Sequence, residues 1–476
     1  MCNKLLLRLD KYDFIVYIQD KGRTMKIKDK FETDIVAVGM NGEGIARVDN
    51  TVVFVPSVLK GERAWVEITD VKKNFAFAKV IKLLEASSDR VNPPCRICYK
   101  CGGCEMLHIA YPAQLEIKRA NVKNCLDKEL KSDVEVNETV PSPDVYGYRN
   151  KIQLPIAIVD GKICAGFFAP NTHKVIPFIR EGEDGKCLLN DEGMQKIIST
   201  FLTFVKENNI SVYDERLHKG LIRHLVIRRV GESYAVCAVI NGKSLPSYKS
   251  FVAKLKSSGY CFSLYISVNE KRTNVIMGEK TVTLYGEDKV RGNALGVTYE
   301  VSPLSFMQVN DKVRDLIYSK VGEIIKNSGI DNVIDAYSGI GIMSNIFARY
   351  AKKVYAIEIV PEAIEDAKKL AALNGNSDKI VNICGDCAKE LPPLITSLGK
   401  SVVVIDPPRK GCDKAVLEAM LTARPTEIIY VSCNPATLAR DLRILSDGYS
   451  IESVTPYDMF PNTKHVETLA VLVCRH

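Results

Sequence analysis

A cysteine closes the run Ile428-Ile429-Tyr430-Val431-Ser432-Cys433-Asn434-Pro435, late in a chain of 476 residues. Apolar and β-branched residues predict a buried strand, and Asn-Pro ends it abruptly. The thiol is therefore expected at the carboxyl edge of an α/β sheet, where open parallel sheets bind their ligands. Downstream stands an acid, Glu467, in His465-Val466-Glu467-Thr468. A nucleophilic Cys, an acid–base Glu and the methyl-donor signature described next suggest methylation of a carbon too weakly nucleophilic to react alone. A pyrimidine ring is the obvious candidate.

The run Asn332-Val333-Ile334-Asp335-Ala336-Tyr337-Ser338-Gly339-Ile340-Gly341 reads as a strand that ends in an acid and a Gly-x-Gly turn. Glycine lets the backbone approach a ligand closely. The next strand, Lys353-Val354-Tyr355-Ala356-Ile357-Glu358, ends in an acid suited to ribose hydroxyls. Met343 and Ser344 stand where a pyrophosphate-binding motif would carry its third glycine. A cofactor without pyrophosphate, S-adenosylmethionine, fits this better. Asp386 ends the following strand and is placed either at the adenine or as a helix N-cap.

Cys95-Arg96-Ile97-Cys98-Tyr99-Lys100-Cys101-Gly102-Gly103-Cys104 packs four thiols into ten residues. Thiolates so crowded repel one another unless a cation lowers their pKa values. Two Cys-x2-Cys pairs permit a four-Cys zinc site, although such sites usually need a longer loop between the pairs. The favoured reading takes Cys95, Cys101 and Cys104, with distant Cys187 as fourth ligand, around a 4Fe–4S cluster; it leaves Cys98 as an extra thiol. The Cys-x3-Cys-x2-Cys spacing of radical enzymes is absent.

These groups need elements to carry them. The length predicts two or three domains, and a hydrophobic content of 46% with 26% charged residues is that of an ordinary globular protein. The formal net charge of +8 favours a polyanionic partner. No apolar run approaches the roughly 20 residues that span a membrane, the amino terminus makes a poor secretory signal, and a cytoplasmic location is expected. Fifteen cysteines without such a signal argue for metal or catalysis over disulfides, with Cys237, Cys261, Cys384 and Cys474 read as small buried hydrophobes. Residues 1–24 read as an extension, because Met25 is a plausible start. Short alternating strands over residues 25–88 predict a β-barrel of OB type, with Lys72, Lys73, Asn74 and Phe75 at a loop tip. Residues 87–94 read as a linker and residues 113–130 as a helix. A mixed α+β region follows to residue 300, where Arg223, His224, Arg228 and Arg229 bracket a strand and suit a sheet face that meets RNA or solvent. From residue 301 the alternation is that of a doubly wound, Rossmann-like α/β domain.

The chain resembles the RNA uracil carbon-5 methyltransferases of the RumA/TrmA type. The likeness rests on Ser305-Phe306-Met307-Gln308-Val309-Asn310, Asp335 to Gly341, Asp406-Pro407-Pro408-Arg409-Lys410-Gly411, Ser432-Cys433-Asn434-Pro435 and His465-Val466-Glu467-Thr468, in family order. Upstream it extends to Tyr148-Arg149-Asn150-Lys151, the cysteine spacing and a TRAM-like barrel. The resemblance implies that Cys433 attacks carbon 6 of the uracil and that Glu467 removes the carbon-5 proton. It also implies Gln308, Tyr337, Glu358 and Asp406 at S-adenosylmethionine, and Phe306 with Arg149 at the flipped base. The implied substrate is 23S ribosomal RNA, with transfer RNA as the alternative; no membrane and no protein partner are implied. A catalytically inactive RNA-binding assembly factor is the reading from a different class, and the intact Cys433 and Glu467 oppose it.

Overall fold

The computed structural model describes residues 4–9, 12–17, 25–39, 42–170 and 172–475. Within the expected extension, strands Lys4–Leu9 and Tyr12–Tyr17 pair antiparallel; the rest of residues 1–24 lies outside the described residues. The chain divides into two compact units. One comprises Met1–Pro94, Gly103–Asn121 and Asn462–Lys464, the other Cys95–Gly102, Val122–Pro461 and His465–His476.

The first unit holds a closed barrel of strands Lys30–Val38, Gly44–Val48, Thr51–Val55, Phe75–Glu85 and Arg63–Val71, in that spatial order. Alternation sends Ala64, Val66 and Ile68 inward, where they pack with Ile35, Val53, Val55 and Ala78. Closure leaves no unpaired edge. Phe75, expected at a loop tip, instead opens a strand and is buried against Phe54, with ring centroids 5.7 Å apart. The linker-like segment is anchored too. Arg90 Nε donates to Glu62 Oε1 at 2.5 Å, and Glu62 is buried.

The second unit contains two seven-stranded sheets. The first has the order Val175–Arg180, Lys162–Phe168, Lys151–Val159, Ile222–Val230, Ser233–Ile240, Cys261–Val268, Thr281–Tyr285. Helices Glu192–Glu207 and Tyr248–Ser257 pack on one face through Phe201, Phe204 and Phe251. Its other face joins the hairpin Val290–Ala294/Val297–Val301 and helix Asp311–Ser328 in a common core. Both faces of strand Ile222–Val230 are thus covered. This overturns the expectation of a basic RNA- or solvent-facing surface there: Arg223, His224 and Arg228 are buried, and Arg229 pairs with Asp191 at 3.1 Å. Cys237 is buried as expected, but Cys261 and Cys384 are exposed because they stand at strand ends.

The second sheet runs Ile380–Cys384, Lys353–Glu358, Asn332–Ala336, Val402–Ile405, Glu427–Ser432, Glu467–Cys474, Tyr449–Tyr457. The first five strands are parallel, and the last two are antiparallel to their neighbours. Near-continuous apolar runs such as Val402–Ile405, buried throughout, suit a sheet covered on both faces. The order reverses direction between Asn332–Ala336 and Val402–Ile405, which opens a crevice at their carboxyl ends. Among the described residues no helix is long and apolar enough to cross a membrane.

Candidate active site

Strand Asn332–Ala336 breaks into a tight turn in which Tyr337, Gly339 and Gly341 take φ values of 65°, 55° and 83°. Glycine tolerates this left-handed region without strain, and Tyr337 occupies it at a cost that functional turns commonly carry. A side chain at Gly341 would also meet the Cβ of Ala367 at 3.2 Å, so the turn must stay bare. Ser344, standing where a third glycine was missing, donates its hydroxyl to the fully buried Asp335. Glu358 accepts the Gly339 amide at 3.0 Å and the Val360 amide at 2.9 Å, which fixes its carboxylate against the turn.

Three reactive side chains gather at the same sheet edge. Asp406 follows Val402–Ile405, and Cys433 follows Glu427–Ser432. Glu467 arrives from the opposite direction as the first residue of Glu467–Cys474, with Thr468 opposite Ser432 in the ladder. Because that strand is antiparallel, its beginning coincides with the ends of the parallel strands. This is why an acid far along the chain reaches the thiol.

Burial pushes the Cys433 thiol up to about 11; the Glu467 charge adds to this, and the Arg409 guanidinium opposes it. Burial also holds Glu467 well above the usual carboxylate range, reinforced by Asp406 and opposed by Arg409. Burial raises Asp406 to about 7. Burial thus disfavours the charged form of all three groups.

These residues line a cavity of about 920 Å³ together with Phe306, Gln308, Tyr337 and Glu358. Phe306 is 79% exposed at its mouth. Two expected residues are not brought there. Asp386 caps helix Cys387–Leu398, accepting the Ala388 amide at 3.0 Å, and the Arg149 guanidinium lies within electrostatic range of Cys187. Sequence reasoning gave no role to Arg409, although it stands within a quoted motif, nor to Tyr318 and Phe460, which also line the cavity. Arg409 had a local signal; the other two had none, because they stand on a helix and a loop outside the quoted motifs.

The donor set fits a cationic methyl donor. Acids Glu358, Glu362, Asp366 and Asp406 line the cavity, and the buried Ser338 hydroxyl and Glu467 Oε1 lack hydrogen-bond partners among the described residues. Such groups suit a ligand that brings positive charge and donors of its own.

Cys95, Cys98 and Cys101 belong to the larger unit and Cys104 to the smaller. Within the larger unit, Cys187 is a half-buried thiol pushed up to about 11 by burial, with the Cys101 and Cys95 charges adding to it. Cys98 is raised likewise, by burial and then by Cys95 and Cys101. Thiols that repel one another in this way are the chemistry that a thiophilic metal centre relieves. Among the described residues, however, no group of three or more His, Cys, Asp or Glu side chains is placed to hold a metal ion.

Residues 235–475 match the family model described as tRNA (Uracil-5-)-methyltransferase, and residues 30–81 match the TRAM domain. An uncharacterized RNA methyltransferase of Clostridium tetani is 40% identical over 454 residues, covering 94% of this chain and 97% of that protein. One from Caldanaerobacter subterraneus subsp. tengcongensis is also 40% identical over 454 residues, covering 94% and 99%. Among solved structures, the tRNA (uracil-54, C5)-methyltransferase of Pyrococcus abyssi, in complex with S-adenosyl-L-homocysteine, superposes with a TM-score of 0.75 at 28% identity. That match covers 93% of this chain and 100% of the other.

Proposed function

We propose a reaction for a chain that belongs to the tRNA (uracil-5-)-methyltransferase family of S-adenosylmethionine-dependent RNA methyltransferases: transfer of a methyl group to carbon 5 of a uridine through a covalent adduct with Cys433. The observation that carries it is the convergence of Cys433, Glu467 and Arg409 on one cavity wall beside an acidic turn.

S-adenosylmethionine supplies the electrophilic methyl group. The Cys433 thiol gives up its proton to solvent, and the thiolate adds to carbon 6 while the ring π electrons move to make carbon 5 an enolate-like nucleophile. Carbon 5 gains the methyl group as the methyl–sulfur bond of the donor breaks and S-adenosylhomocysteine is left, and the Glu467 carboxylate then takes the carbon-5 proton. The electrons of that C–H bond restore the ring double bond as the C6–S bond breaks, which returns the thiolate. Arg409 faces both Cys433 and Glu467 and favours their ionised forms. A positive charge in the cavity acts on the same two groups in the same direction. Gln308, Tyr337, Glu358 and Asp406 hold the donor, and Phe306 stacks on the base flipped from its RNA.

The first target is 23S ribosomal RNA, gripped in part by the TRAM barrel. Transfer RNA is the second reading, favoured by the similarity to the Pyrococcus abyssi enzyme. Cys95, Cys101 and Cys187 of the larger unit would supply thiolates to a 4Fe–4S cluster, which would take no part in the methyl transfer. Mass spectrometry of RNA from cells lacking the protein tests the substrate. Loss of 5-methyluridine from a 23S site supports the first reading, and loss confined to transfer RNA supports the second. Unchanged 5-methyluridine in both would refute the proposal.

A further inference from the structure

Segment 302–310 carries Phe306 and Gln308 into the cavity mouth but contains no helix or strand of its own. With Phe306 79% exposed, packing does little to fix it. Two buried donors reach it from the neighbouring sheet. Arg228 Nη2 donates to the Ser305 carbonyl at 2.5 Å, and Asn150 Nδ2 donates to the Gln308 carbonyl at 2.9 Å. The Asn150 backbone amide adds a bond to the Val309 carbonyl at 2.8 Å. The two side-chain bonds fall on either side of Phe306.

Arg228 is an expensive way to hold a loop. It is 2% exposed, and its Nε and Nη1 have no hydrogen-bond partner among the described residues. Its register partner across the strands is another cation, Lys151. Asp311, the carboxylate that acts on Arg228 electrostatically, is already engaged through Oδ1 by Arg314 at 2.7 Å and by Asn150 at 2.8 Å. A buried guanidinium so poorly compensated lowers stability, and an apolar side chain of similar volume would do better. Groups retained against stability are found where function needs them.

We propose that Arg228 is a positioning residue: with Asn150, it clamps the 302–310 loop on both sides of Phe306, so that Phe306 meets the base and Gln308 meets the methyl donor in fixed register. This rests on the reaction proposed above, but the clamp has its own observable. Arg228 touches neither substrate nor cofactor and acts through the Ser305 carbonyl.

The test compares wild type with R228M by hydrogen–deuterium exchange, thermal unfolding and methylation of total RNA from cells lacking the protein. Exchange in 302–310 is expected to rise at least about tenfold, the factor for losing one charge-assisted bond. Exchange elsewhere and the unfolding midpoint hold steady or improve, while kcat falls about tenfold or more with little change in KM. R228K, which keeps the cation and a donor, is expected to recover much of the loop protection. Unaltered exchange in 302–310 would overturn the clamp. So would a general loss of protection with a lowered midpoint, or an R228K no better than R228M. A wild type that methylates no RNA, in which R228M still loosens only this loop, leaves the clamp standing and removes the reaction.

Discussion

The resting thiol offers the sharpest quantitative check. Cys433 is pushed from an ordinary value of 9.0 to about 11, chiefly by burial and then by Glu467. At pH 8 a thiol at 9.0 is about 10% thiolate and one at 11 about 0.1%, roughly a hundredfold difference. Nucleophilicity per thiolate rises with basicity, with a Brønsted slope of about 0.4–0.5, and returns a factor of about 8. Cys433 in the free enzyme should therefore react with iodoacetamide about tenfold more slowly than an ordinary thiol at pH 8. The rate should climb about tenfold per pH unit without levelling off before pH 10. Peptide mass spectrometry resolves Cys433 from the other cysteines. Arg409→Met should slow the reaction further, because the guanidinium is the group that opposes burial. Sinefungin, which carries an ammonium, should accelerate it relative to neutral S-adenosylhomocysteine of nearly the same bulk. An inflection below pH 8 in the free enzyme, or an R409M that reacts faster, would refute this electrostatic account.

Cys433→Ala is expected to abolish turnover while leaving donor binding intact, as read by calorimetry. Glu467→Gln should accumulate an RNA adduct stable to denaturing electrophoresis, and free RNA alone would remove Glu467 from the base role. Burial raises Asp335 from 3.8 to about 7, so the folded state binds that proton more tightly than the unfolded chain. Its contribution is complete below about pH 4 and is lost as pH rises towards 7. The thermal midpoint of the ligand-free protein should therefore fall by about 5 °C between pH 5 and pH 7, and Asp335→Asn should flatten that slope. Purification without oxygen should yield about four iron and four sulfide per chain, and full iron in Cys187→Ala would exclude Cys187 as a ligand.

Much of the site was legible because its residues sit where strands end, and strand ends are marked locally. Asn-Pro after Cys433, Gly-x-Gly after Asp335 and the alternation within Arg63–Val71 each announce themselves within a few residues. What could not be read depends on pairing over long distances. Arg223, His224 and Arg228 carry the same charges whether a strand lies at a surface or between two packed layers, and only the tertiary packing decides. Arg149 and Asp386 show the same limit. A motif position or a strand-end acid fixes chemistry but not direction, and Asp386 turned its carboxylate to its own helix. Tyr318 and Phe460 reach the cavity from elements with no motif to mark them.

The strand that bears Glu467 is interior in its sheet, held between Glu427–Ser432 and Tyr449–Tyr457. A chain broken off before it would own the proposed nucleophile and donor pocket but not the proposed base, and by that reaction it would capture RNA without releasing it. The fold forestalls this. Without its sixth strand the sheet leaves two unpaired edges and an open core, so an incomplete chain fails to assemble the pocket at all. The residue proposed to free the product is thus carried on a strand that the sheet cannot do without.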